Sequence, residues 1–257
     1  MSWILLRIAT DIGGTFTDLV LFDDSTDVIK LSKTSTTVNN PEQGVITCVK
    51  KTTSSLANAK SFIHGSTVVI NIVTERKGAA TGLITTKGFR DVLEIGRHNR
   101  PDMYNLYYKR PEPLVARFLR FEVDERVNSE GKILKPLDEK SVLSAINVFR
   151  KEGVQAIAVC LLNSYTNSQN EIAVGQVLTR EYPEATVSLS HKISNEWREF
   201  ERTSTTVLNA YVSPIARTYI ERLEDELRNL GLTASLHIMQ SNGGTITSNV
   251  IGSIAFI

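Results

Sequence analysis

Apolar and polar positions alternate from Leu5 to Ser35, and residues about 5–11, 17–23 and 28–35 read as three strands in an antiparallel meander. Asn40-Pro41-Glu42-Gln43 then opens a helix to about Ser55, with Asn40 as cap, Pro41 at the first helical position and Gln43 reaching back. A short strand over Ser61–His64 precedes a helix over about 67–77, which Gly78 stops. Ala80–Thr86 reads as a buried strand and Gly88–Ile95 as a short helix. Patterning fails from Arg97 to Pro113, a polar and tyrosine-rich loop, and loops of that length are often functional.

Phe118–Arg126 alternates again, with a turn at 128–131. Val142, Ala145, Ile146 and Phe149 share one helical face. Val154–Leu162 is almost wholly apolar, as a strand covered on both faces must be. A helix over 169–181 and a strand over 186–190 follow. Ile215, Tyr219, Leu223, Leu227 and Leu230 mark a long amphipathic helix that Gly231 ends, before a strand over 236–240 and a turn over 241–244. Strands alternating with helices predict an α/β fold, a mixed sheet with flanking helices. Residues 1–185 are expected to form one unit, and 186–257 to begin a second.

The first turn carries the most chemistry. An apolar run ends at Asp11, Gly13-Gly14-Thr15-Phe16-Thr17-Asp18 follows, and a second apolar run starts at Leu19. Gly13 and Gly14 lack a Cβ, so they can take positive φ and let backbone amides approach an anion. Thr15 and Thr17 add hydroxyl donors. Asp11 is placed to hold a hydrated Mg²⁺, which needs only one or two protein carboxylates. The other reading is an ordinary Gly-Gly hairpin with polar flanks. Neither a Walker A loop nor a G-x-G-x-x-G helix start is present.

Composition narrows the classes. The 257 residues have 41% hydrophobic content and a net charge of +1, which gives no footprint for nucleic acid or an anionic membrane surface. Cys48 and Cys160 lie far apart with no C-x-x-C, which fits a reduced, cytoplasmic setting. The apolar start is too short for a signal peptide, and no run approaches a membrane span. His64, His98, His191 and His237 lack zinc-type spacing.

Further motifs follow in order: His64-Gly65-Ser66-Thr67-Val68-Val69-Ile70-Asn71, Glu75-Arg76-Lys77-Gly78-Ala79, Gly82 through Arg97, Glu199 through Val212, and Met239-Gln240-Ser241-Asn242-Gly243-Gly244. With the Asp11–Asp18 hairpin they resemble the A-type subunits of the hydantoinase/5-oxoprolinase family, from about Arg7 to Gly244. The resemblance implies a lobe of the actin/sugar-kinase/Hsp70-like ATPase fold, with ATP and Mg²⁺ as cofactors. It also implies a B-type partner subunit or domain and a small cyclic amide substrate, 5-oxoproline or a hydantoin. Related carboxylases take ketones instead.

On that resemblance Asp11 holds Mg²⁺, Gly13 to Thr17 cradle phosphate, and Asp18 orients water or metal. His64 reads either as a polar contact or proton carrier in a substrate-cleft wall shared with Thr67, or as a hydrogen-bonded histidine beside a Ser/Thr helix cap. Asn71 reads as facing that cleft or as a helix-surface amide. Arg97, His98 and Arg100 are placed to grip a substrate carboxylate or carbonyl, or else form a solvated loop. The run Glu196 to Arg202 reads as a solvated helix face, with Arg202 and Thr203 as alternative cleft residues. Complete A-type subunits carry a second phosphate hairpin that this sequence lacks. The expectation is therefore a truncated product in which catalysis needs more chain, or a non-catalytic fragment.

Overall fold

The computed structural model describes residues 5–37, 40–97 and 101–248. In chain order it contains β1 (Leu6–Ile12), β2 (Phe16–Asp23), β3 (Val28–Ser35), α1 (Glu42–Thr52), β4 (Ala59–Ser66) and α2 (Val68–Thr74). Next come β5 (Thr81–Thr86), α3 (Val92–Ile95), β6 (Arg120–Val123), β7 (Arg126–Val127), β8 (Ile133–Lys135) and α4 (Glu139–Lys151). They are followed by β9 (Ala156–Cys160), α5 (Gln169–Glu181), β10 (Thr186–Leu189), α6 (Ser190–Ile193), α7 (Glu199–Asn229), β11 (Leu236–Met239) and β12 (Thr245–Thr247). Contacts divide the chain into two compact units, 1–77 with 215–257, and 78–214.

The first unit is built on a mixed sheet ordered β12-β11-β4-β1-β2-β3. β1, β2 and β3 form the expected meander, while β4 pairs parallel to β1 and β11 parallel to β4. β1 alternates strictly: Leu6, Ile8, Thr10 and Ile12 are buried, and Arg7, Ala9 and Asp11 face out. The buried side packs into one core with Val45 and Val49 of α1, Phe62 of β4, and Ile220, Leu223 and Leu227 of α7. Burying such side chains supplies about 1.5–3 kcal/mol each.

The second unit holds an all-parallel sheet ordered β10-β9-β5-β6. β5 and β9 are buried at every position, as the apolar run through Val159 predicts. Val142, Ile146 and Phe149 of α4 join Val174 and Leu178 of α5 in one core, and Val207 and Ala210 of α7 join Leu83 and Ala158 in another.

Several boundaries differ from the sequence reading. The expected 118–126 strand is split between β6 and β7, which lie in different sheets. The break lets Glu125 turn inward, where it is bonded by Thr86 Oγ1 and Asn170 Nδ2. α1 starts after Pro41 with no side-chain cap; Asn40 contributes its carbonyl to the Gln43 amide, 3.0 Å away. α2 ends at Thr74, short of Lys77, and Arg76 turns left-handed at φ 53°.

Within the run from Glu196 to Arg202, Glu196 and Arg198 are exposed as expected, but Arg202 is not on a solvated face. Arg202 is 1% exposed and donates to Ser164 Oγ, to Ser190 Oγ (2.7 Å) and to Leu161 O (2.8 Å). Ser190 Oγ in turn donates to the buried carboxylate of Glu171 at 2.8 Å. Burial alone raises the Glu171 pKa, yet hydrogen bonds from His191, Leu161 and Ser190 outweigh it and hold the carboxyl below its usual range.

α1 lies directly on the hairpin of β1 and β2 through Gly44, where an added Cβ would sit 2.5 Å from Thr17 Oγ1. Alanine gains about 1 kcal/mol of helix propensity over glycine, but overpacking typically costs 1–3 kcal/mol. Gly44→Ala is therefore expected to destabilise the first unit, read as a lower urea midpoint. Thr17→Ala should then cost less in the Gly44→Ala background than in the unaltered chain, because it relieves the overpacking. A stabilised single variant would show that α1 does not press on Thr17.

Candidate functional site

The hairpin turn between β1 and β2 is closed by the Gly13 amide, which donates to Phe16 O at 2.9 Å. That amide is spent on the turn and is not offered to a ligand, contrary to the expectation for Gly13. Neither Gly13 nor Gly14 has positive φ, so conformational freedom is not what these glycines supply. A Cβ at Gly13 would meet nothing closer than 3.4 Å, and one at Gly14 nothing closer than 3.7 Å. Their contribution is an open approach to the backbone.

Thr17 is likewise not a phosphate donor by its side chain. It is fully buried, with its hydroxyl 3.1 Å from Thr36 Oγ1. Thr36 Oγ1 donates to Gly13 O at 2.9 Å, which makes Thr17 the donor in the other bond. Thr36 N also donates to Thr15 O. Thr17 and Thr36 therefore pin the turn from below. What stays open is the outer side, where Gly14 and Thr15 are exposed and their amides donate to no described group. The side-chain amide of Asn71, on α2, lies beside Gly14.

Asp11 and Asp18 are directly opposed across β1 and β2, and both are exposed. Lys33 on β3 takes Asp18, with Nζ 2.9 and 3.0 Å from its two oxygens. Asp11 has no ion pair or side-chain hydrogen bond with a described residue. It sits against Gly65 of β4, where a Cβ would approach Oδ1 to 3.0 Å. An exposed, uncommitted carboxylate beside a bare glycine suits Mg²⁺, which keeps several waters. Among the described residues no group of three or more His, Cys, Asp and Glu side chains forms a protein metal cage, and a phosphate-bridging Mg²⁺ does not require one.

His64 lies in the core beneath this surface. It is fully buried, with Nδ1 2.8 Å from Thr10 Oγ1 and Nε2 2.7 Å from Tyr219 OH. Burial drives its pKa from 6.5 down to about 4 and pushes the Tyr219 phenol far above its ordinary value. Both ring nitrogens are engaged and no face is open, so the geometry is that of a hydrogen-bonded core histidine, not a cleft-wall proton carrier. Thr67 serves the same junction, its amide and hydroxyl both donating to Ile12 O at 3.1 Å. Ser66 Oγ accepts from the Val68 amide at the start of α2.

Arg97 belongs to the second unit. Its guanidinium is bidentate to Glu201, with Nε 2.7 Å from Oε1, so it does not offer a free fork to a carboxylate. His98 and Arg100 lie outside the described residues. Thr10, Thr36 and Gly44 were not singled out from the sequence, and Tyr219 reads only as part of an apolar helix face. Only Tyr219 carried a signal, a phenol on the apolar face of α7 that needs a buried partner.

The burial of His64 gives a pH dependence with a definite sign. A neutral folded histidine with a depressed pKa is opposed by protonation of the unfolded chain, so stability rises with pH between about 4 and 6.5. From pH 7 to pH 5 the loss should be about 2 kcal/mol. Urea unfolding of His64→Gln should lack that component, whatever its stability at pH 7. An equal loss in both proteins would show that another group is responsible.

The profile of the hydantoinase/oxoprolinase N-terminal region matches residues 7–182, and that of the hydantoinase/oxoprolinase family matches 202–253. Caprolactamase subunit alpha from Pseudomonas jessenii is 34% identical over 95% of this chain, which spans 36% of that protein. A 5-oxoprolinase from Saccharomyces cerevisiae is 31% identical over 94% of the chain, which spans 22% of it. A nucleotide-free structure of acetone carboxylase, titled for ATP-dependent acetone carboxylation, superposes with a TM-score of 0.85 at 25% identity, over 96% of this chain and 38% of that one. The chain thus spans well under half the length of these relatives. Its fold is the mixed-sheet α/β architecture of the actin/sugar-kinase/Hsp70-like ATPase lobe.

Proposed function

The chain belongs to the hydantoinase/oxoprolinase family, and from that premise we propose that its first hairpin holds the phosphates of ATP during activation of a cyclic amide. One observation carries this reading: two unspent amides, at Gly14 and Thr15, share a turn with the uncommitted carboxylate of Asp11. The Asn71 side-chain amide, beside Gly14, and the hydroxyl carried by Thr15 add donors at the turn. The names of the relatives, a caprolactamase and a 5-oxoprolinase, support the substrate class.

In this reading the ring amide oxygen attacks the γ-phosphorus, an O–P bond forms, and ADP leaves as the β–γ bridge breaks. Water then adds at the activated carbon, the C–N bond breaks with nitrogen keeping the electron pair and taking a proton, and a second water splits the resulting acyl phosphate into carboxylate and phosphate. Gly14 and Thr15 orient the phosphate oxygens. Asp11 would hold Mg²⁺, which when bound supplies charge neutralisation on the transferring group. Asp18 takes a supporting place, since Lys33 already balances it. His64 and Thr67 set the backbone and carry no proton.

A B-type subunit or domain completes the enzyme in this proposal, supported by a relative described as one subunit of a larger assembly. The family segments divide at 185/186, supported by the spans 7–182 and 202–253. A second reading, ketone carboxylation, is favoured by the acetone carboxylase superposition.

Titrating the chain with Mg·ATP should shift the amide resonances of Gly14 and Thr15 more than those of Gly13 and Thr17. In an enzyme containing this segment, Asp11→Ala should lower ATP turnover by about a hundredfold or more. Turnover within about tenfold of the unaltered enzyme would reject the role of Asp11. A panel of caprolactam, 5-oxoproline, hydantoin and acetone separates the two substrate readings, because only the carboxylase reading predicts ketone-dependent uptake of bicarbonate.

A further inference from the structure

A cavity of about 480 Å³ opens in the second unit, between α3, residues 101–114 and the first turns of α7. Its volume lies in the range of small-molecule sites. Leu93, Leu114, Phe200 and Val207 form an apolar floor, and Leu93 and Leu114 pack onto the buried cluster that contains Val207. Pro101, Pro111 and Pro113 line the walls, and proline offers no backbone N–H. A ligand therefore meets few donors here, and most of its surface must be apolar.

The charges around the cavity are mostly committed. Arg97 is paired with Glu201, Glu94 accepts from Arg120 Nη2 at 3.0 Å, and Glu112 is itself engaged. Arg110 is the exception: it makes no hydrogen bond or ion pair with a described residue. Its Nη1 lies where the cavity wall is made by Gly96, 2.9 Å from the position a Cβ there would take. Gly96 has φ 56° and ψ −140°, a region essentially reserved for glycine. Glycine is needed at this position for the backbone, and its bareness leaves room for the guanidinium. The Ser204 hydroxyl, on the α7 wall, is likewise engaged by no described residue.

We propose that this cavity binds a small organic carboxylate with a compact apolar body, its carboxylate gripped by Arg110 and its body resting on Phe200 and Val207. A guanidinium matches a carboxylate with two parallel hydrogen bonds, and Ser204 adds a third donor. Among the described residues the donors are too few for a phosphate group, and the apolar floor would be wasted on one. This site stands on the second unit alone and does not require the nucleotide reading of the hairpin.

The test is calorimetry on the full chain with phenylacetate and cyclohexanecarboxylate, against phenylacetamide and cyclohexanecarboxamide. The acids should bind about tenfold more tightly than their amides, a difference of about 1.4 kcal/mol. Arg110→Gln should bring the acids down to the affinity of the amides. Phe200→Ala should weaken acids and amides together, and Lys132→Gln, a remote change of the same charge, should alter neither. Amide resonances of 93–97 and 200–208 should report the binding. Equal affinity for acid and amide, no saturable binding at millimolar concentrations, or unchanged acid binding by a folded Arg110→Gln would each overturn the proposal.

Discussion

The sheet of the first unit is fixed at its centre by a buried chain of three polar side chains, Thr10, His64 and Tyr219. Each joins a different element: Thr10 lies on β1, His64 on β4 and Tyr219 on α7. A buried polar group left unsatisfied costs about 1–3 kcal/mol, so the parallel register of β1 and β4 is strongly specified. A slip of one residue would also bury Asp11 and expose Ile12, because side chains alternate with period two. The same constraint therefore faces Asp11 outward beside Gly65 and brings Thr67 onto the carbonyl of Ile12.

Much of this architecture was legible because it is local. The alternation in β1 and β2, the unbroken apolar run of β9 and the one-sided faces of α4 and the end of α7 follow directly from burial. What escaped is non-local. The first unit is completed by residues 215–257, which return after the whole second unit to add β11 beside β4. No periodicity announces such a return. The inward turn of Glu125 that splits a strand is equally invisible, since its partners Thr86 and Asn170 are far away in sequence.

The start of α7 shows why apolar pattern alone misjudged a helix. Arg202, Thr206, Asn209 and Ser213 recur at helical spacing, and all four are buried. That face is polar yet inward, held by bonds such as Asn209 Nδ2 to Ser188 Oγ at 2.8 Å and Thr206 Oγ1 to Arg202 O at 2.7 Å, with Arg202 Nε left without a partner among the described residues. Buried charge is tolerable here because Ser190 links Arg202 to Glu171 in one connected network. From the sequence, Glu196 to Arg202 reads as a solvated helix face and the amphipathic stripe is visible only from Ile215, whereas α7 runs unbroken from Glu199 to Asn229 through Pro214.

The candidate hairpin was legible in outline and misjudged in its parts, and the division between the two follows one geometric rule. Inward positions are spent on structure: Thr17 and Thr36 hold the turn, and Thr10 holds His64. Outward positions stay adjustable. Asp11 and Asp18 face each other, an arrangement that destabilises a strand pair by roughly 0.2–1 kcal/mol, and Lys33 relieves only one of them. An exposed ion pair of that kind is worth about 0–1 kcal/mol, so it neither locks Asp18 nor satisfies Asp11. A cation bound at Asp11 would remove the remaining repulsion. The like-charged pair is thus a mild instability of the bare chain, imposed by the strand register that turns both carboxylates outward.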